Sequence, residues 1–145
     1  GTGVMTLFLP AGTEGFVRAA DGYLDVNRIV VPVDASPSPA PALRLAGRVA
    51  RRLSDTQVAV DVVHAGAVPP PGLELPADDD STRWTFRLLD GEPARIIRAA
   101  ANGADLLVMS TAGRYDLQDM LLGSTAERVL EGAPCPLLTV PAARR

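Results

Sequence analysis

The stretch STAGRYDLQDMLLGSTAERV, Ser110 to Val129, holds the residues best placed for chemistry. Gly113 is followed, after nine intervening residues, by Gly123, Ser124 and Thr125, which run directly into a helix-forming segment. A loop that leaves a strand and enters a helix at Gly-Ser-Thr presents unpaired backbone N–H groups, two hydroxyls and the positive end of a helix dipole. Those groups together suit an anion. Glycine at 113 and 123 lets the backbone approach a phosphate where a Cβ would clash. Arg114 can add positive charge, and Asp34, closing an earlier strand-like run, can accept hydrogen bonds from a ribose. The same residues admit a second account. Ser124-Thr125-Ala126-Glu127 is also a capping box, with Ser124 capping the helix and Glu127 reaching back. Asp116 and Asp119 would repel a phosphate unless a divalent ion or distance intervened.

Other reactive groups are few. All 14 basic residues are arginine, so a lysine-type phosphate loop, a Schiff base and a lysine general base are excluded. One histidine, His64, and one cysteine, Cys135, leave no His/Cys zinc site and no disulfide framework. His64, at a strand end, reads as a hydrogen-bonded rim residue, and Cys135, among prolines, as a small buried hydrophobe. Asp78, Asp79 and Asp80 read as a solvated loop, with weak binding of a hard cation as the other possibility.

These groups need a scaffold, and the apolar pattern supplies one. RIVVPV (Arg28 to Val33) is a short β-branched run ending at Asp34, as a strand covered on both faces reads. From Ala40 to Leu53, Ala42, Leu45, Ala46, Val49 and Leu53 fall three and four apart, which predicts an amphipathic helix. Thr56 to Ala65 is a second strand of the buried type and Thr82 to Gly91 a third. The Asp90-Gly91 turn leads into a helix with Pro93 in its first turn and Ile96, Ile97 and Ala100 inward, closed by Asn102-Gly103. Asp105 to Ser110 and Pro136 to Val140 complete five strands, with a helix over Ser124 to Glu131 between the last two. Alternating strands and helices predict an α/β fold, a doubly wound, five-stranded parallel sheet, with ligands beyond the carboxyl ends of its strands.

Two segments depart from that plan. The prolines and acids of GAVPPPGLELPADDDS, between the second and third strands, preclude a full crossover helix, so a patch of sheet should lack its usual cover. At the front, Val4 to Leu9 is strand-like, and with Pro10-Ala11 it echoes the apolar run, threonine and Pro-Ala of APCPLLTVPAA near the end, a weak internal repeat.

The 145 residues suffice for one domain, and a net charge of −3 argues against a nucleic-acid partner. No apolar run is long enough to span a membrane, so the expectation is a cytoplasmic protein without a membrane partner.

Taken in order, RIVVPVDASPSPAPALRLA, DGEPARIIRAAANGADLLVMSTAGR and LLGSTAERVLEGAPCPLLTVPA resemble the universal stress protein family. That resemblance covers most of Arg28 to Pro141. It implies a Rossmann-like, adenine-nucleotide-hydrolase-like fold, a stress-response role, and dimers formed through the last strand. The family's ATP-binding branch carries glycine, two residues, glycine, nine residues, then glycine and serine or threonine. Gly113, Gly123 and Ser124 match, but Ser110 stands where the first glycine belongs. The resemblance further implies that Pro32 and Asp34 lie near ribose and adenine, that Ala65 replaces a valine against the base, and that Met109 flanks the nucleotide. The expected ligand set is thus Pro32, Asp34, Ala65, Met109, Ser110, Gly113, Arg114, Gly123, Ser124 and Thr125. The expected cofactor is ATP, with or without Mg2+, and no catalytic or metal-ligating residue is assigned.

The front segment resembles the end of a first domain in tandem members of that family. Residues 1–27 are then an N-terminal strand and linker, and residues 28–145 the domain itself, either the second half of a two-domain protein or a single-domain relative. Val4 to Leu9 is expected on the edge formed by Leu137 to Val140, within the chain or across a homodimer. Function resolves into a nucleotide-binding module that signals through conformation or partner choice with at most slow hydrolysis, or a structural dimerisation module without nucleotide. A third class, a hydrolase or adenylate-forming enzyme on the related fold, lacks its catalytic motifs here.

Overall fold

The computed structural model describes residues 5–12, 15–17, 20–111, 115–116, 119–120 and 124–142. Its elements in chain order are β1 (Thr6–Phe8), β2 (Arg28–Pro32), α1 (Ala40–Leu53), β3 (Val58–Ala65), β4 (Thr82–Leu89), α2 (Pro93–Ala100), β5 (Leu106–Thr111), β6 (Tyr115–Asp116), β7 (Asp119–Met120), α3 (Ser124–Glu131) and β8 (Leu137–Pro141). Both helices bounded from apolar spacing and capping, Ala40–Leu53 and Ser124–Glu131, form over those residues. The small antiparallel pair β6–β7, which lies in the stretch read as a simple loop, is additional.

β2, β3, β4, β5 and β8 run parallel, and β1 joins the outer edge of β8 antiparallel, in the order β1-β8-β5-β2-β3-β4. Successive side chains alternate between faces, so each β-branched run fills two layers at once. Ile29, Val31, Val60, Val62, Leu106 and Val108 pack beneath α1. Val30, Val63, Leu107, Met109 and Leu137 pack beneath α2 and α3. α1 meets the sheet through small residues, Ala42, Ala46, Gly47 and Ala50, with Leu43 and Leu45 beside them. Val49 and Leu53, which the spacing placed on the same apolar stripe, are only partly buried against it.

Leu73 and Leu75, from the proline-rich segment between β3 and β4, lie against the α1-side core where a crossover helix would otherwise sit. Asp78 and Asp79 there are not a cation site but hydrogen-bond acceptors for the chain. Asp79 Oδ1 accepts from Ser81 N, Thr82 N and Thr82 Oγ1, and Asp78 Oδ1 from Trp84 N. The β4 strand, taken as buried, is an edge strand with one wet face: Trp84 is buried while Arg83, Thr85 and Arg87 are exposed.

On that wet side lies a buried carboxylate that the apolar run around it concealed. Asp61 accepts from Arg28 Nη2 at 3.0 Å, Arg87 Nη2 at 2.7 Å and Thr85 Oγ1 at 3.1 Å. Arg28 continues to Ala100 O at 2.9 Å and Asn102 O at 3.4 Å, satisfying carbonyls where α2 ends. Burial raises the Asp61 pKa, but hydrogen bonds from Arg87 and Arg28 outweigh it and hold the carboxyl below its ordinary 3.8. Cys135 is buried, and burial pushes its thiol up to about 11, in keeping with a packing role.

Two outcomes test this account. Asp61→Ala strands two guanidinium groups and should lower unfolding free energy by about 1–3 kcal/mol in urea titrations. Because the folded carboxyl is the stronger acid, its contribution is complete above pH 3.8 and disappears as pH falls through the folded value, so wild type and variant should converge in acid. At Gly47 an added Cβ would meet Arg51 at 3.6 Å and Trp84 at 3.7 Å, which is ordinary contact. Gly47→Ala should therefore stabilise by about 0.5–1 kcal/mol through helix propensity, read in the same titration.

Candidate functional site

From β2 the chain adds strands outward to β3 and β4, then returns to the other side of β2 to place β5. Helices α1 and α2 therefore depart over opposite faces, and the carboxyl ends of β2, β3 and β5 are left between them. A cleft of about 270 Å³ opens there.

Its floor and walls come from the strand ends. β2 gives Pro32, with Val33 and Asp34 just beyond its end; β3 gives Val63, His64 and Ala65; β5 gives Met109, Ser110 and Thr111. Pro93 and Ile97 of α2 and Thr125 and Ala126 of α3 close the other side. The pairing of β2 and β3 persists into the site, since Val33 N donates to Val63 O at 2.8 Å. Asp34 is exposed at the rim, with Oδ1 accepting from Ala35 N at 2.7 Å.

His64 Nδ1 lies 2.8 Å from Val33 O. A carbonyl can only accept, so Nδ1 carries the hydrogen and Nε2 is its other face. A Cβ on Gly66 would come within 2.8 Å of that Nε2, which is why glycine suits the position. Ser110 Oγ is buried against the cleft and has no hydrogen-bond partner among the described residues. A buried hydroxyl in that condition is suited to a polar group of a guest.

α3 is aimed at the cleft by its attachment to α2. Glu92 caps α2, accepting from Ala94 N and Arg95 N at 3.1 Å each, and its other partner is Arg128 of α3 at 2.9 Å. The backbone N–H of Ala94 is the main reason its carboxyl titrates below the usual range, with Arg128 and Arg98 contributing. Arg98 Nη1 donates to Arg128 O at 2.6 Å. Thr125, in the first turn of α3, consequently faces the crevice together with the amino end of the helix dipole.

Of the residues expected from sequence, Pro32, Asp34, Ala65, Met109, Ser110 and Thr125 thus line one cleft. Ser124 opens α3. Gly113, Arg114 and Gly123 lie outside the described residues, as does the proposed capping role of the Ser124 side chain. Sequence reasoning missed Pro93, Ile97, Ser36 and Pro37 as cleft residues. Helix spacing marked Ile97 only as an inward residue, and nothing in the spacing said that inward there meant toward a cleft. Among the described residues no group of three or more His, Cys, Asp or Glu is placed to hold a metal ion, and no helix is long and apolar enough to cross a membrane.

A family model described as "Universal stress protein family" matches residues 73–141. Universal stress protein MJ0531 of Methanocaldococcus jannaschii is 30% identical over 142 residues, covering 79% of this chain and 81% of that protein. Among solved structures, a universal stress protein from Archaeoglobus fulgidus superposes with a TM-score of 0.59 at 20% identity, over 81% of this chain. This chain spans 44% of the Archaeoglobus protein's length. A universal stress protein in complex with cAMP superposes with a TM-score of 0.55 at 21% identity, over 81% of this chain and 98% of that one. Both superpositions bear on the fold, an α/β arrangement with a mostly parallel sheet.

The Ser110 hydroxyl provides a direct probe of the cleft. Replacing Ser110 with Ala removes a buried, unpartnered polar atom while keeping the Cβ, and should stabilise the ligand-free protein by about 1 kcal/mol in denaturant titration. A loss of stability would mean that the hydroxyl already has a partner in the free protein.

Proposed function

The chain belongs to the universal stress protein family, and from that premise we propose that its cleft binds an adenine nucleotide, ATP in the first instance, as the input of a cytoplasmic stress-response module. The observation that carries this reading is the convergence at one strand-order switch of an apolar slot, an exposed carboxylate and the amino end of α3.

In this reading the base lies against Val63, Ala65, Met109 and Ile97, which offer flat apolar surface. Asp34 accepts hydrogen bonds from the ribose. The phosphates meet the amino end of α3, with Thr125 and Ser124 supplying hydroxyls, Gly113 and Gly123 giving the backbone room, and Arg114 adding charge. The residues fit such a guest in kind, since Ser110 Oγ is a buried hydroxyl in want of a partner at the phosphate side. Mg2+ would be held by the phosphates rather than by a protein cluster. The cAMP complex of a relative with this fold supports an adenine nucleotide as the class of ligand.

Hydrolysis has little to work with. His64 is engaged through Nδ1 by a backbone carbonyl, and the chain has no lysine. The module therefore acts by binding, through conformation or choice of partner, with residues 28–145 as the nucleotide domain and residues 1–27 as an added strand and linker. One observation favours the other reading, a structural module without nucleotide: Ser110 stands where the ATP-binding motif has glycine.

Thermal unfolding with and without Mg-ATP separates the two. At roughly a hundred times the dissociation constant, ligand should stabilise the fold by about 2.7 kcal/mol and raise Tm by several degrees. Ala65→Trp should fill the base position and cancel the shift while leaving the ligand-free Tm within a few degrees. An unchanged wild-type Tm across millimolar ATP, ADP and cAMP would leave the structural reading.

A further inference from the structure

Helix α1 has two unlike faces. Ala42, Ala46 and Ala50 turn to the sheet, and Arg44, Arg48, Arg51 and Arg52 all stand exposed on the opposite side. Arg44, Arg48 and Arg52 recur every four residues, so they form one row along the helix, with Arg51 beside it, over about 12 Å of axis. No acid lies in the helix to balance them. The whole chain has 17 acids against 14 arginines, so this row is a local cationic strip on an anionic protein.

Like charges four residues apart on a helix repel, so the row costs the helix stability. The helix dipole compensates Arg51 and Arg52, which lie in the last turn, but not Arg44 and Arg48. Nor are these charges used within the fold. Arg28 and Arg87 hold Asp61, Arg128 holds Glu92 and Arg98 holds a carbonyl, whereas no side chain of the α1 arginines makes a hydrogen bond or ion pair among the described residues. Beside the amino-terminal end of the row lies a groove of about 370 Å³, where Leu43 and Arg44 of α1 form the wall together with Leu73, Glu74 and Pro76 of the proline-rich segment. Its apolar part suits one aliphatic side chain.

Carboxylates are the planar partners that guanidinium groups match best, and arginine beside apolar surface is what protein interfaces concentrate. A nucleic-acid duplex or an anionic membrane fits less well. Either would carry its charge past a row of about 12 Å and onto the acids around it. Those are Glu74 in the groove wall, the exposed Asp55 just beyond the helix, and Asp79, whose carboxyl is held below its ordinary range chiefly by the Ser81 N–H and in smaller part by the charge of Arg51.

We propose that the outer face of α1 is a docking surface for an acidic segment of another protein, with carboxylates set against Arg44, Arg48 and Arg52 and an apolar side chain in the groove beside Arg44. This proposal does not depend on the cleft holding a nucleotide.

Fluorescence anisotropy on the full chain tests it, with a labelled helical peptide that carries glutamate at three positions spaced by four and a leucine next to the first. The same peptide with glutamine in place of glutamate is the reference. The glutamate peptide should bind roughly tenfold tighter at low salt, and the difference should shrink as salt screens the charges. Exchanging its leucine for serine should weaken binding by roughly tenfold. Arg44→Gln with Arg48→Gln should do the same, whereas Arg83→Gln with Arg95→Gln, which removes two arginines exposed elsewhere, should change the dissociation constant by no more than about twofold. Equal weakening by the two double variants overturns the proposal, as does a wild-type chain that does not distinguish glutamate from glutamine. Tighter binding of a DNA duplex or of phosphatidylserine vesicles through Arg44 and Arg48 overturns it too, because the row would then serve a polyanion rather than a protein.

Discussion

Between β2 and β5 the chain reverses the direction in which it adds strands, and right-handed crossovers then oblige α1 and α2 to leave over opposite faces. No side chain can undo that divergence, because backbone hydrogen bonds fix the strands at their spacing and helices cannot fill the gap at the strand ends. Every feature of the candidate site follows from it. Asp34, Ala65 and Ser110 are remote in sequence but close in space because they are the residues at which β2, β3 and β5 run out. The crevice has walls because Val63, Met109 and Ile97 belong to the core that the same crossovers create.

The electrostatics of the crevice come from backbone more than from side chains. The arginines of the helices beside it have partners elsewhere, Arg128 with Glu92 and Arg98 with the Arg128 carbonyl, and Arg28 and Arg87, away from the crevice, hold Asp61. Those contacts orient helices. Glu92 in particular serves both the cap of α2 and the tie to α3, so the carboxylate that finishes one helix also sets where the dipole of another points. An anion here would be met chiefly by N–H groups, which select for shape and approach distance rather than for charge alone.

The two edges of the sheet are managed differently. Along β4, Asp78 takes the Trp84 N–H, and Arg83, Thr85 and Arg87 keep the outer face polar. Along β8 the protection is another strand, β1, whose own exposed face is apolar. Charge and side-chain capping cover the first edge, and a strand that repeats the pattern of β8 covers the second.

Local signals were legible in the sequence wherever the physics is local. The β-branched runs named five strands, helix spacing and caps bounded Ala40–Leu53 and Ser124–Glu131, and the residues closing the strands indicated where a ligand would lie. The absence of lysine and the single histidine excluded whole classes of chemistry outright. What the tertiary structure alone decided are relations between distant segments. Asp61 sits inside an apolar run, and its burial becomes tolerable only when Arg28 and Arg87 arrive from neighbouring strands. Pro93 and Ile97 became cleft walls because α2 crosses the face opposite α1. β1 closes its own chain's sheet because the register against β8 is settled by side chains on both strands. Composition and periodicity report what each segment buries; which partner buries it depends on chain topology, and that is established only when the segments meet.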